Sequence, residues 1–421
     1  MREMKDSGVP WIGAIPKGWS LRRIGHMYKE RRTKVSDKDY EPLSVTMKGV
    51  VPQLSTAAKT DAHDDRKLVR KGDFAINSRS DRRGSCGIAP QDGSVSLINT
   101  ILCPLSETNS AYLNWLFHSN LFADEFYRWG HGIVDDLWTT NWSDMKRIYI
   151  PFPSLPEQQR IADFLDSKCV EIDSILGKTR ASIEEYKKLK QSVITEAVTK
   201  GIRGNRPMKE SGVEWIGEIP AEWEMSTLGR ISSSVRNGYV GPTRDLFVEE
   251  GIRYIQSLHI KEGMIDFSRQ EYFVPQEWAS MRPKIKTNNL LIVQTGDIGQ
   301  VALVTDEYDG CNCHALIIVD INEALVLPLY LTYYLRSHVG KELLLQTKTG
   351  ALLPHLNSGR VVFTEVCLPH IDEQQEIAAY LDDKCAAIDK LIASKEALIT
   401  ELEAYKKSMI YEYVTGKKEV I

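Results

Sequence analysis

Pro153-Ser-Leu-Pro-Glu-Gln-Gln-Arg-Ile-Ala-Asp-Phe-Leu-Asp-Ser-Lys-Cys169 returns 216 residues later as Pro369-His-Ile-Asp-Glu-Gln-Gln-Glu-Ile-Ala-Ala-Tyr-Leu-Asp-Asp-Lys-Cys385. The match runs on through Ile172-Asp173 and Ile388-Asp389, and ends with Ser192, Glu196, Val198 and Thr199 against Ser408, Glu412, Val414 and Thr415. Its apolar positions step by threes and fours: Ile161, Leu165, Cys169, Ile172, Leu176, Ile183, Tyr186, Val193 and Ala197. The second copy mirrors them at Ile377, Leu381, Cys385, Ile388, Ile392, Ile399, Leu402, Met409 and Tyr413. Thr179/Lys395 and Lys190/Lys406 are polar interruptions. A repeat of this period is a coiled-coil seam. Pro156 and Asp372 stand where each helix begins, Glu157 and Glu373 suit its positive end, and Gly201 and Gly416 lie just past its close. From 157 to 199, at 1.5 Å per residue, each helix is roughly 60 Å long. One apolar stripe does not stabilise a helix alone, so the simplest partner of each is the other. An antiparallel pair carries one domain at each end, related by pseudo-twofold symmetry; a dimer of whole chains is the alternative.

A shorter repeat opens each half. Ser7-Gly-Val-Pro-Trp-Ile-Gly-Ala-Ile-Pro16 recurs as Ser211-Gly-Val-Glu-Trp-Ile-Gly-Glu-Ile-Pro220, with Trp19 and Trp223 at the same offset of 204. The chain therefore divides into a first globular domain (1–152), a long helix and linker (153–206), a second globular domain (207–368) and a second long helix (369–421). The middles, 20–152 and 224–368, are not obviously alike. Matching ends around differing centres suggest one scaffold presenting two surfaces rather than a duplication that drifted evenly. Each middle reads as α/β. Asp73-Phe-Ala-Ile-Asn77 and Leu290-Leu-Ile-Val-Gln294 are buried strands. They run into Ser78-Arg-Ser-Asp-Arg-Arg-Gly84 and Thr295-Gly-Asp-Ile-Gly299, and helices are expected near 111–119 and 328–337. Leu43-Ser-Val-Thr-Met-Lys48 is matched to Tyr254-Ile-Gln-Ser-Leu-His-Ile-Lys261 as an earlier strand and turn. The fold class is α/β (α+β): two globular domains separated by two long antiparallel helices.

With 421 residues, 42% hydrophobic and 26% charged, the chain is long enough for several cored domains. Lys and Arg number 53 against 57 Asp and Glu, a net charge of −4, which excludes a histone-like polybasic binder. The balance is uneven: 22 basic and 18 acidic residues over 1–153, but 14 and 20 over 207–368. No apolar stretch follows Met1–Gly8, and 315–335 is interrupted by Asp320, Asn322, Glu323 and Pro328, so neither a secretory signal nor a membrane span is expected. Seven scattered cysteines suit a reducing cytoplasm.

Signatures of catalysis are missing. There is no phosphate-cradling loop ending in Lys-Ser/Thr, no Gly-x-Gly-x-x-Gly after a strand, no Gly-x-Ser-x-Gly elbow and no His-Glu-x-x-His. Thr295–Gly299 reads as a strand-to-strand turn. Cys311-Asn-Cys313-His314 lacks structural-zinc spacing and reads as small buried residues on a strand, so no metal site is expected. What remains suits contact. Arg22, Arg23, Lys29, Arg31, Arg32 and Lys34 form one basic run, and Arg66, Lys67, Arg70, Lys71, Arg79, Arg82 and Arg83 another. Cations along a groove bind phosphates, and Arg reads guanine with a bidentate fork; a solvated charged face is the plainer alternative.

The paired Trp-Ile-Gly-x-Ile-Pro segments, the paired Pro-x-x-x-Glu-Gln-Gln segments and the long helices resemble the specificity subunit of a type I restriction–modification system. The resemblance covers the whole chain. It implies a non-catalytic, cytoplasmic, DNA-binding subunit whose two middles are target-recognition domains, each reading half of a bipartite, asymmetric double-stranded DNA site, with the helices setting the gap. It implies two modification (methyltransferase) subunits carrying S-adenosylmethionine, and restriction (translocase–nuclease) subunits supplying ATP and Mg chemistry, with no cofactor on this chain and no membrane. Exposed docking surfaces would make the chain behave poorly without its partner. The DNA-contacting candidates on strand-to-loop exits are Thr46, Lys48, Asn77, Arg79, Ser80, Arg82 and Arg83 in the first domain. In the second they are Gln256, Ser257, His259, Lys261, Thr295 and Asp297, with His131, His355 and Asn357 on loops before the final strands. Composition alone also permits a non-DNA coiled-coil adaptor with two protein-binding domains, and a self-contained nuclease or methyltransferase is disfavoured by the absent motifs.

Overall fold

The structure is a computed structural model and describes residues 2–54, 64–79, 82–105, 108–132, 138–243, 245–350 and 354–420. The chain forms two compact units, Met1–Arg180 with Glu396–Ile421, and Ala181–Lys395. Two helices, Leu155–Lys200 of 46 residues and Ile371–Val414 of 44, each give one part to either unit.

Within the first unit Phe164 lies 4.4 Å from Tyr413, Asp173 pairs with Lys406 at 2.6 Å and Arg180 with Glu403 at 2.6 Å. Rising numbers on one helix meet falling numbers on the other, so the pair is antiparallel. Within the second unit Lys190 pairs with Asp389 at 2.8 Å and Lys395 lies over the Tyr186 ring, in the same sense. Asp173 and Asp389 are 216 apart, as are Lys190 and Lys406. One ion pair is thus made twice with the helices exchanging roles, and the Lys190/Lys406 interruption of the seam supplies its cations.

The seam expected from the sequence is buried from Ile161 through Ile183 and from Ile377 through Ile388. It changes face toward the C-terminal ends. Val193 and Tyr413 are only half-buried, whereas Ile194, Ala197 and Val198, and Met409, Ile410 and Val414, are buried. A straight helix has 3.6 residues per turn, so a 3.5-residue stripe drifts, and here the last turns pack on a domain core as well as on the start of the other helix. Gly201 and Gly416 close the helices at φ 74° and 75°, a conformation that only glycine takes without strain.

The middles that look unlike in sequence share one topology. The first has a four-stranded sheet in the order 86–88, 74–77, 99–104, 28–30; the second runs 301–303, 290–293, 316–321, 232–237. All neighbours are antiparallel. Helices Ser110–His118 and Asn120–Arg128 accompany the first sheet, and Pro328–Arg336 and His338–Gln346 the second. The likeness is hidden because Phe74–Asn77 and Leu290–Val293 are buried on both faces, so any apolar residue serves and no alternation marks the register.

One expected match needs correction. Leu43–Thr46 makes a hairpin with Gly49–Pro52, which packs on Cys86–Ile88. The hairpin that packs on the equivalent strand of the second unit is Ile260–Lys261 with Met264–Ile265, where Gly263 bridges Ala302. Ile252–Ile255 belongs instead to a small sheet with Phe273–Val274 and, in parallel, Asn312–Cys313.

The repeated motifs are clamps. Glu157 accepts the Trp19 indole N–H at 2.9 Å and pairs with Arg2; Glu373 does the same for Trp223 and Arg206. Gln158 and Gln374 each donate to a carbonyl five residues back, Pro153 and Pro369, and each accepts a backbone N–H from the start of a domain helix, Asn109 and Leu327. The Glu-Gln pair therefore fixes each long helix to its own domain.

Candidate nucleic-acid interface

In the first unit the loop after Phe74–Asn77 is held from within. Asn77 is buried, and its side-chain oxygen accepts the Arg79 N–H at 3.0 Å. Ser78 O accepts the Thr140 N–H at 3.0 Å, and Thr139 forms bridges to both Arg79 and His131. Asn77, Arg79, Arg82, Arg83 and His131 are thereby brought to one loop cluster. Ser80 lies outside the described residues. Arg79 and Arg82 are exposed. Arg83 is already engaged, 2.5 Å from Asp124 and over the Tyr127 ring. His131 Nε2 lies 3.6 Å from Asp144. Thr46 and Lys48 are not in this cluster's bonding network. Thr46 Oγ1 donates to Gly49 O and accepts the Lys48 N–H, shaping a hairpin turn. Lys48 lines a separate cleft of about 840 Å³ with Trp115, Arg180, Lys406 and Lys407.

The second unit repeats the arrangement with other side chains. Gln294 O accepts the Leu356 N–H at 2.9 Å, as Ser78 O accepts from Thr140, and Thr349 and His355 exchange backbone hydrogen bonds. A β-carbon on Gly296 would lie 3.8 Å from Ser257 Oγ. Gln256, Ser257, Thr295, Asp297, His355 and Asn357 are thus gathered on adjoining loops. Thr295 and Asp297 are exposed, and Asp297 accepts from Gln300 at 3.1 Å. Asn357 caps the turn Ser358–Val361 through the Gly359 N–H. Lys261 is exposed on the hairpin that corresponds to the one carrying Lys48, and the neighbouring Glu262 reaches Lys190 at 3.2 Å.

His259 is corrected by its surroundings. It is fully buried, its Nδ1 accepts the Gln256 N–H at 2.9 Å, and Nε2 therefore carries the proton and donates to Gln270 O at 2.9 Å. No ring nitrogen is left for a base edge, so His259 shapes the 256–270 segment. Burial lowers its pKa from the usual 6.5. The folded form holds the neutral ring, so its stabilising contribution is present above about pH 6.5 and is lost as pH falls toward the depressed folded value. With the intrinsic slowing of amide exchange at lower pH divided out, protection across 254–272 is expected to fall on acidification from pH 7 to 5, and His259→Gln should remove that fall. An identical pH response in the variant would remove the assignment.

One cluster beside these loops carries no sequence signal. Arg282 lies over the rings of Tyr239 and Trp278, 5.1 and 5.4 Å from their centroids, and Tyr239 lies 6.3 Å from His314. Its members are scattered along the chain and meet where Tyr239 bridges His314 and Lys284 bridges Asn312, beside the pairing of 254–255 with 312–313. Cys311 and Cys313 are buried beside them, as read from the sequence, and among the described residues no group of His, Cys, Asp or Glu is arranged to hold a metal. No helix among them is long and apolar enough to cross a membrane.

Comparison with known proteins agrees with this doubled layout. The family model of the type I restriction modification DNA specificity domain matches twice, at 16–185 and 220–404. The MjaVIII type I restriction enzyme specificity subunit of Methanocaldococcus jannaschii is 24% identical over 96% of this chain and 94% of its own. The EcoBI specificity subunit of Escherichia coli is 25% identical over 64% of this chain and 58% of its own. Among solved structures, a chain from work on assembly and conformational transition of the type I R-M system aligns with a TM-score of 0.74 at 15% identity, covering 96% of this chain and 99% of that one. The HsdS subunit from Thermoanaerobacter tengcongensis aligns at 0.53 and 17% identity, over 96% and 98%.

Proposed function

The chain belongs to the type I restriction modification DNA specificity family, and we propose from this that it is the non-catalytic subunit that reads a bipartite, asymmetric DNA site for a methyltransferase and a restriction nuclease. The observation that carries the reading is the doubled frame with unequal contents. The same backbone link, Ser78 to Thr140 and Gln294 to Leu356, presents Arg79, Arg82 and His131 in one unit but Thr295, Asp297 and Gln256 in the other. Identical surfaces would read a palindrome; unlike surfaces on a repeated frame read two different half-sites. Phosphate contacts position the duplex and base edges specify it.

Two modification subunits are the proposed partners, and the outer faces of the long helices support that. Leu391, Leu398 and Tyr405 fall seven residues apart, and the 216 offset places Ile175 and Leu189 opposite the first and last of them. All five are exposed. Ser182, half-buried, takes the middle place on the first helix, so the stripe is continuous only on the second. An apolar heptad stripe outside the seam is what a further helix needs for packing. S-adenosylmethionine would be carried by those subunits, ATP and Mg by restriction subunits, and the complex would work in the cytoplasm. Co-expression with a methyltransferase subunit, followed by methylome sequencing, tests the reading: one bipartite motif is expected, absent when this chain is omitted. Methylation independent of this chain would overturn it. Leu391→Asp with Leu398→Asp is expected to weaken recovery of the methyltransferase partner about tenfold or more without loss of fold, because both side chains already face water.

A further inference from the structure

We propose that Arg282 reads a guanine in the half-site bound by the second unit, held ready by the rings of Tyr239 and Trp278. This rests on the DNA-reading function proposed above and assigns one of its base contacts. The cluster is joined to the candidate loops by backbone hydrogen bonds. Tyr239 donates to Cys313 O and accepts from the Ala315 N–H; His314 donates to Ile255 O, next to Gln256; Ala315 O accepts from Gln294, next to Thr295. Ala315 sits between them at φ 50°, a left-handed conformation that a residue with a β-carbon keeps only where its surroundings enforce it. Such outliers gather at ligand-binding loops.

The segment bearing Arg282 is pinned from below. Asn312 is fully buried and its amide donates to Ala279 O and Pro283 O, at 3.2 and 3.0 Å, on either side of Arg282. Tyr239 and Trp278 meet edge to face at 5.0 Å and form the ledge under the guanidinium. A cation over a ring is held by the ring's face and keeps its N–H edge for other acceptors.

Charge favours a cation that is not already paired. The 207–368 block has 14 basic and 20 acidic residues, so cations there are scarce. Arg236 is paired with Asp320 and donates to Lys284 O; Arg253 is paired with Glu271 and Glu307. Among the described residues, exposed Arg282 contacts rings rather than carboxylates. Guanine offers O6 and N7 side by side in the major groove; a planar arginine fork matches that pair, whereas a lysine reaches it only as a flexible point donor.

The test uses the assembled methyltransferase with this chain and duplexes carrying single base-pair changes at every position of its site. Arg282→Ala and Arg282→Lys are both expected to lose roughly 10–100-fold of discrimination at one G·C pair of one half-site, with discrimination in the other half-site unchanged. The lysine variant keeps the charge, so its loss reports the fork and not a collapsed loop. Unchanged discrimination, or an equal loss of affinity on every sequence as for a phosphate contact, would overturn the proposal. Absence of any sequence preference in the unsubstituted complex would instead overturn the DNA-reading function beneath it.

Discussion

Replacing Glu373 with alanine is expected to destabilise the second unit by about 3–5 kcal/mol, the loss that follows when one member of a buried ion pair is removed. Glu373 is 3% exposed and its partner Arg206 10%. Its two oxygens accept the Trp223 indole N–H at 2.9 Å and the Arg206 guanidinium at 2.6 Å. Arg206 also lies over the Trp223 ring and donates to Lys200 O, where the first long helix ends. Without the carboxylate, a buried indole N–H loses its acceptor, and the buried Arg206 cation keeps only the half-exposed Glu222, at 3.0 Å, at the joint between helix and domain. The twin joint provides the control. Glu157 holds Trp19 and Arg2 in the same way, but Glu157 and Arg2 are 18% and 21% exposed. Water reaches that pair, so Glu157→Ala is expected to cost less, about 1–3 kcal/mol. Hydrogen exchange of 207–230 against 2–25 measures each joint separately, which matters because two units need not unfold together. Equal protection losses in the two variants would show that burial does not set the difference.

The parts of this molecule that could be read from its sequence are those in which one residue type is demanded at fixed spacing. The seam needs an apolar residue every three or four positions, Glu157 and Glu373 must accept an indole and a guanidinium, and Gly201 and Gly416 must turn left-handed. The shared domain topology was not legible, because doubly buried strands such as Leu290–Val293 accept any apolar side chain and leave no pattern to align. The offset also shifts, from 204 at Trp19 and Trp223 to 216 at Ser78 and Gln294. Within the candidate sites, exposure and polarity pointed to Arg79 and Thr295. They also pointed to His259, where a buried ring with two satisfied nitrogens looks no different in sequence from a solvent-facing one. Arg282 was invisible for the opposite reason: its ledge is assembled from positions 239 and 278, which only the fold brings together.

The charge difference between the two units leads to the second large effect, in the salt dependence of DNA binding. Each phosphate neutralised by a cation adds about 0.9 to the slope of log affinity against log salt, through counterion release. Arg79 and Arg82 are exposed on the loop after Phe74–Asn77, in the half of the chain with the basic excess. If each neutralises one phosphate, Arg79→Ala with Arg82→Ala lowers the slope of the assembled methyltransferase by about 1.8. Measured against 1 M salt, that is roughly a 200-fold loss of affinity at 50 mM and roughly 20-fold at 200 mM. Arg83→Ala is expected to leave the slope unchanged, since Asp124 already neutralises that guanidinium. Thr295→Ala is likewise expected to leave it unchanged, because the exposed loop it sits on carries Asp297 and no cation from 295 to 299. A salt titration of binding by these four proteins separates the roles. A double variant that binds as tightly as the parent at every salt concentration would take Arg79 and Arg82 off the DNA, and the basic loop would then be a solvated face.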